Sequence, residues 1–294
     1  MKKMSKQTTW LVAIVLFLVT LSGARAETIA DASPLRIGLT PVFLDDRVSF
    51  LRKWSRYLEA KLDRPVKFVQ RRTYRQITDL LVEEKLDAAW ICGYPYVRNT
   101  TQFNLLAVPL YLGEPVYQSY LIVPSTDKET KAISDLKGKV FAYSDPDSNS
   151  GFLAPQVALR RSGFDPDTHF SKTFFAWAHR DVVSAVAKGV AQGGAVDGYV
   201  WDMIAKLEPE LAARTRVVRK SEEFGFPPFV TRASLSDEEF KILQSVLVEM
   251  AADQAGRELL ESLNLDGFTP GNDELFSSIR AAMRVMPPKG EKEK

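Results

Sequence analysis

The nine residues Ser144-Asp145-Pro146-Asp147-Ser148-Asn149-Ser150-Gly151-Phe152 place three serines, two carboxylates and an amide side by side. An apolar strand pattern ends just before them, and a helix is expected from about Gly151. Backbone N–H groups at a helix start have no partner within the helix and attract an anion, and serine hydroxyls add donors. Ser148 and Ser150 could therefore clasp an oxyanion such as a phosphoryl group. An ordinary helix cap after a turn uses the same residue types, because Asp, Asn, Pro and Ser all favour turns. Local chemistry leaves both readings open.

Other residues could join such a site. His179 opens the helical pattern Arg180-Asp181-Val182-Val183, where it could donate to an anion or simply cap and pack. Arg180 could neutralise a dianion or face solvent. Tyr94, Tyr96, Tyr111, Tyr117 and Tyr120 are dense in one region. A phenol offers an apolar wall and a hydroxyl donor, suited to a small polar ligand and equally to a core. Asp202, near Asp197, Tyr199 and Trp201, is expected at the end of a strand. There it could accept from a ligand hydroxyl or ammonium, or cap a helix. The one cysteine, Cys92, follows a buried-looking strand and reads as inert packing. His169 reads as structural. There is no Gly-x-Ser-x-Gly, Walker loop, dinucleotide glycine fingerprint or His-Glu-x-x-His. An enzyme is therefore not expected, and neither is a cofactor. One cysteine and two histidines leave little for a metal centre.

The elements that must position these residues alternate. Leu35–Leu39, 65–69 and 87–91 read as strands. Helices are expected between them, from Leu51, Trp54, Leu58 and Leu62, and from Tyr74, Ile77, Leu80 and Leu81, at spacings of three and four. The order β-α-β-α-β implies parallel pairing with right-handed crossovers, hence an α/β architecture. A second cycle begins after 120–123, with strands at 139–143, 170–175 and 195–200 and helices at 151–162 and 181–188. A short extended piece at 229–231 is followed by a helical region, whose start is marked by Ser236 and the acids after it. Two α/β cycles with two crossings, near 117–123 and 226–231, suggest two lobes, a hinge and a cleft. One continuous sheet is the alternative.

At the N-terminus, Lys2, Lys3 and Lys6 precede an apolar run over 10–21 and small residues at Ala24 and Ala26. This is the pattern of a secretory signal cleaved after Ala26, and the run is short for the roughly 20 residues of a spanning helix. The remaining chain has 39 − 4 = 35 Lys+Arg against 37 Asp+Glu, a charge of −2. That balance argues against a nucleic-acid partner.

The ordered set Ile37-Gly38, Asp87-Ala88-Ala89-Trp90, Leu121-Ile122-Val123, Leu136-Lys137-Gly138-Lys139 and Asp145-Pro146-x-Ser148-x-Ser150-Gly151-Phe152 resembles the phosphate/phosphite/phosphonate-binding periplasmic proteins of ABC transporters. The resemblance implies the two-lobed type 2 periplasmic binding fold. The expected division is a signal peptide (1–26), a first lobe (27–120, returning at 229–286), a second lobe (121–228) and a mobile tail (287–294). It further implies Ser148, Asn149, Ser150 and Gly151 as the anion clasp, His179 as a ligand-facing histidine, Tyr74 as an aromatic wall from the first lobe, and Tyr94 or Tyr96 as a second wall. The expected partner is an ABC permease in the inner membrane, or alternatively a sensor kinase, served by a periplasmic monomer. Trp177, Ala178 and Arg180 depart from the pattern around the histidine, as does the segment 191–194, expected as a lengthened turn before Asp197.

Overall fold

The computed structural model describes residues 33–41 and 48–286. The expected signal peptide and the tail from 287 lie outside these residues. The chain first lays down β1 (Leu35–Leu39), β2 (Val66–Gln70), β3 (Ala88–Trp90) and β4 (Phe103–Leu110). It then builds β5 (Val116–Pro124), β6 (Val140–Tyr143), β7 (Lys172–Phe175), β8 (Gly193–Asp197) and β9 (Thr215–Gly225), and returns through β10 (Phe229–Arg232) and β11 (Gly267–Pro270). Two sheets result, ordered β11-β4-β10-β3-β1-β2 and β7-β6-β8-β5-β9. The expected parallel pairs form, β1 with β2 and β3, and β6 with β7 and β8. Around them β4, β5, β9, β10 and β11 pair antiparallel, so both sheets are mixed.

The chain passes between the sheets at 111–115 and again at 226–228. Position 120/121, expected as a lobe boundary, falls inside β5, which belongs wholly to the second sheet. The strand expected at 195–200 ends at Asp197. There the Asp197 carboxylate caps a helix over Gly198–Leu207 by accepting from the Val200 N–H at 3.4 Å. Gly193 and Gly194 are strand rather than turn. A Cβ on them would come within 2.4 Å of Leu136 and 2.5 Å of Val182, so only glycine lets β8 lie this close under its helices.

The helix Val48–Leu62 covers the first sheet with Phe50, Leu51, Trp54, Tyr57 and Leu58. Trp54 is fully buried against Phe68, Trp90 and Phe229, with ring centroids 5.1–6.1 Å apart. The second sheet is packed by Phe141, stacked 4.4 Å from Phe170, with Tyr143 edge-on to both. These two aromatic clusters pack one face of each sheet, and the residues of interest lie at the ends of β6 and β8 and on the helix starts that meet them. The last helix, Ser277–Val285, packs on the short helix Gly93–Arg98 of the first lobe and on β9 of the second.

Candidate functional site

The loop after β6 is held by its own polar groups. The Asp147 N–H donates to Asp145 Oδ1 at 2.8 Å, and the Ser148 N–H to the Asp145 carbonyl at 2.9 Å. Ser148 then caps a wide turn, Asn149–Leu153, by accepting from the Gly151 N–H at 3.0 Å. That turn is closed by Leu153 N–H donating five residues back to the Ser148 carbonyl at 3.0 Å. It runs directly into the helix Ala154–Arg161. Such π-type turns are uncommon and recur at functional sites. Gly151 is required here: a Cβ would overlap the Ser144 hydroxyl and come within 3.1 Å of the His179 ring.

The first lobe presses on this loop from across the cleft. Tyr74 opens the helix Tyr74–Val82, which starts there because Thr73 and Gln76 form a reciprocal capping box. Its backbone N–H donates to Asp145 Oδ2 at 3.1 Å, and its hydroxyl lies 3.1 Å from His179 Nε2. His179 Nδ1 accepts from the Asp197 backbone N–H at 3.1 Å. The proton therefore sits on Nε2, which donates to the Tyr74 oxygen and leaves the Tyr74 hydroxyl hydrogen free to point elsewhere. Cys92 Sγ accepts from the Asn149 N–H at 3.2 Å, and Asn149 Nδ2 donates to the Tyr117 hydroxyl at 3.0 Å.

Ser148, Asn149 and Ser150 are at most 1% exposed, and Gly151 is buried with them. Within this buried region Ser144 Oγ, Ser150 Oγ and Asn149 Oδ1 lack a partner in hydrogen-bond geometry, with the Ser150 hydroxyl lying close enough to the Tyr117 phenol to favour its ionised form. A buried hydroxyl without a partner costs about 1–3 kcal/mol, so two of them in one loop imply something that satisfies them. No Lys or Arg is among the buried polar residues of the described chain. An anion here would be held by neutral donors and helix starts. Burial alone pushes the His179 pKa down to about 3, so the ring is a neutral donor. Burial pushes the Asp197 carboxyl up to about 7, against the Val200 and Tyr199 N–H groups that favour its charge. Burial likewise holds the Tyr74 and Tyr117 phenols well above their usual range, with Cys92 and Asp197 adding to it. The Cys92 thiol is pushed up to about 11, chiefly by burial, so it is no thiolate nucleophile.

Of the residues singled out in the sequence, Tyr74, Ser148, Asn149, Ser150, Gly151 and His179 come together. Tyr94 stands at the rim, its ring 5.4 Å from the Arg98 guanidinium. Tyr96 does not reach the loop: its hydroxyl donates to Asp273 Oδ1 at 2.7 Å and its ring packs edge-on against Phe276. Asp202 is also elsewhere. Because β8 ends at Asp197, Asp202 lies in the following helix, where its Oδ2 accepts from the Tyr111 and Tyr120 hydroxyls at 2.9 and 3.1 Å and ties the first crossing to the second lobe. Arg180 faces outward in a bidentate pair with Glu208. Ser144, Tyr117 and Asp197 join the site instead. Ser144 is the first residue after β6; the sequence reading placed it in this loop but gave the clasp to Ser148 and Ser150.

With this geometry in view, likeness to known proteins is informative. The profile of the family "ABC transporter, phosphonate, periplasmic substrate-binding protein" matches residues 37–276. The chain is 24% identical over 273 residues to the phosphate-import protein PhnD of Mycolicibacterium smegmatis, covering 87% of this chain and 82% of that one. It is 24% identical over 270 residues to a probable ABC transporter phosphite-binding protein, PhnD1, of Prochlorococcus marinus, covering 86% and 89%. Among solved structures, the binding protein component of an ABC phosphonate transporter from Pseudomonas aeruginosa superposes with a TM-score of 0.80 at 22% identity, over 87% of this chain and 88% of that one. PhnD1 of Prochlorococcus marinus in complex with methylphosphonate gives 0.77 at 20% identity, over 85% and 97%. The fold is thus that of the type 2 periplasmic binding proteins, and the chain belongs to the periplasmic phosphonate-binding family of ABC transporter substrate-binding proteins.

Proposed function

We propose that this protein captures a small oxyanion of the phosphonate, phosphite or phosphate type between its two lobes and delivers it to an ABC permease. The observation that carries the reading is the pair of buried serine hydroxyls, Ser144 and Ser150, left without partners beside the Asn149 amide oxygen. A tetrahedral oxyanion accepts from both hydroxyls, and a protonated oxygen on it would donate to Asn149 Oδ1. Ser148 and Gly151 shape the turn, and the free hydrogen of Tyr74, oriented by neutral His179, adds a donor from the opposite lobe. With the phenols and thiol held neutral, the site is built to bind rather than react, so no catalysis and no cofactor is assigned. Lobe boundaries at the two crossings, export with cleavage after Ala26, and a monomeric state complete the reading. No described helix is long and apolar enough to cross a membrane.

Both curated relatives are transport components, which favours a permease over a sensor kinase as partner. The test is a thermal-shift panel of phosphate, phosphite, methylphosphonate, sulfate and arsenite on the purified protein. A phosphorus oxyanion at 100 times its Kd should stabilise the fold by about 2.7 kcal/mol, or several degrees. Stabilisation by none of the phosphorus oxyanions would remove the reading.

A further inference from the structure

One carboxylate of the ligand loop is tied to the opposite lobe without facing the clasp. Asp147 follows β6 of the second lobe and immediately precedes Ser148, and its side chain is only 5% exposed. Its Oδ1 accepts from Arg98 Nη1 at 2.6 Å and from Arg75 Nη2 at 3.3 Å. Arg75 lies on the helix Tyr74–Val82 and Arg98 ends the helix Gly93–Arg98, both carried by the first lobe. The Arg98 guanidinium also rests over the Tyr94 ring, which limits its freedom. Both arginines keep part of their hydration, at 56% and 33% exposure, so closure desolvates one carboxylate while giving it two charged donors.

We propose that Asp147, Arg75 and Arg98 form a closure latch: a set of positioning residues that fixes the equilibrium between open and closed lobes, and through it ligand affinity, without contacting the ligand. The proposal rests on the oxyanion reading only where affinity is measured. Opening the lobes separates the carboxylate from both guanidinium groups. Because Asp147 adjoins Ser148, the same short turn carries clasp and latch, and ordering one orders the other.

The chain supplies its own reporter. Cys92 is its only cysteine. It is 5% exposed and accepts from the Asn149 N–H of the other lobe. Lobe separation therefore uncovers it to a small thiol reagent. If K is the closing constant, the open fraction is 1/(1+K), and affinity for a ligand that binds the closed form scales as K/(1+K). Multiplying the rise in ligand-free labelling rate by the loss in affinity returns the change in K, wherever the ligand-free equilibrium sits.

The experiment measures both quantities for wild type, Asp147→Asn, Arg75→Gln/Arg98→Gln and the triple variant. Methylphosphonate, phosphite and inorganic phosphate serve as probes and circular dichroism as the folding check. Losing the charged hydrogen bonds should make the product of the two changes about 10- to 100-fold for Asp147→Asn. The double arginine variant should match it, and the triple variant should be no worse, because all three changes remove one interaction. Arg161→Gln, whose partner Glu222 lies in the same lobe, should leave the product unchanged. A folded Asp147→Asn protein whose product stays within about twofold of wild type would overturn the latch, as would a triple variant in which the separate losses multiply. If no probe binds wild type, the oxyanion reading fails on its own. The latch is then judged by labelling alone: wild-type Cys92 must label at least about tenfold slower than in the unfolded chain, so that a closed fraction exists to lose, and a wild-type rate equal to that of the unfolded chain, or an Asp147→Asn rate equal to wild type, overturns it.

Discussion

The serines of the loop should respond to alanine with opposite signs, and this follows from their different hydrogen bonds. Ser144 Oγ and Ser150 Oγ are buried with no partner, whereas Ser148 Oγ accepts from the Gly151 N–H. Deleting an unpartnered buried hydroxyl relieves a cost of about 1–3 kcal/mol, reduced by whatever water reaches it when the lobes part. Ser144→Ala and Ser150→Ala should therefore leave the ligand-free melting temperature unchanged or raise it, by roughly 2–4 °C for each kcal/mol relieved in a chain of this size. Ser148→Ala instead removes a cap and should cost about 1 kcal/mol, lowering the melting point by a similar few degrees. With ligand the order changes. A hydrogen bond to a charged group is worth about 1.5–3 kcal/mol, so Ser144→Ala and Ser150→Ala should each weaken oxyanion binding by roughly 10- to 150-fold. Scanning calorimetry without ligand and isothermal titration with the best probe from the panel read the two effects separately. If Ser144→Ala and Ser150→Ala melt lower without ligand and bind as wild type does, the hydroxyls are structural and the clasp is misassigned.

Two further expectations follow from the same geometry. Tyr74→Phe removes the acceptor of the His179 Nε2 hydrogen and the free donor, so it should weaken binding by about 10-fold or more, as titration will read, and lower ligand-free stability by about 1–3 kcal/mol because the buried His179 N–H loses its partner. The buried His179 and Asp197 should shape stability against pH in opposite directions. The folded pKa of His179 lies near 3, below its ordinary 6.5, so its neutral burial loses stability as pH falls from about 6.5 towards 3. The folded pKa of Asp197 lies near 7, above its ordinary 3.8, so stability falls as pH rises from about 4 to 7. Denaturant melts across this range should show a flatter acid limb in His179→Gln and a flatter neutral limb in Asp197→Asn. Unchanged profiles would contradict the burial assigned to these groups.

The parallel half of the fold was legible because each βαβ unit writes its own local pattern. Trp54 and Leu58 mark a helix face, and Ala88-Ala89-Trp90 a buried strand. Of the antiparallel strands, β10 was expected as the extended piece at 229–231, but three others were not. Phe103–Leu110 is an apolar run from Leu105 onward that periodicity cannot assign, Thr215–Gly225 is a polar edge strand, and Gly267–Pro270 is too short to show alternation. The clasp was visible because its residues are contiguous and helix starts have a chemical signature. His179 was one of two open readings from local chemistry until the family resemblance favoured the ligand-facing one, and Tyr74 was found through the resemblance alone. Tyr117 and Tyr96 could not be told apart, since both are tyrosines in one dense stretch, and only the tertiary path turns one towards Asn149 and the other towards Asp273. Asp202 was misplaced because Gly198, whose missing side chain admits the Tyr120 ring, opens a helix, so the strand ends at Asp197, three residues before the expected end.

The central claim is that a phosphorus oxyanion completes the hydrogen bonding of the loop after β6. A crystal structure of the protein grown with methylphosphonate tests it most directly. The account predicts phosphonate oxygens within hydrogen-bond distance, about 2.5–3.0 Å, of both Ser144 Oγ and Ser150 Oγ, with Tyr74 Oη donating from the opposite lobe. Methylphosphonate bound elsewhere, with Ser144 and Ser150 still lacking partners, would contradict it.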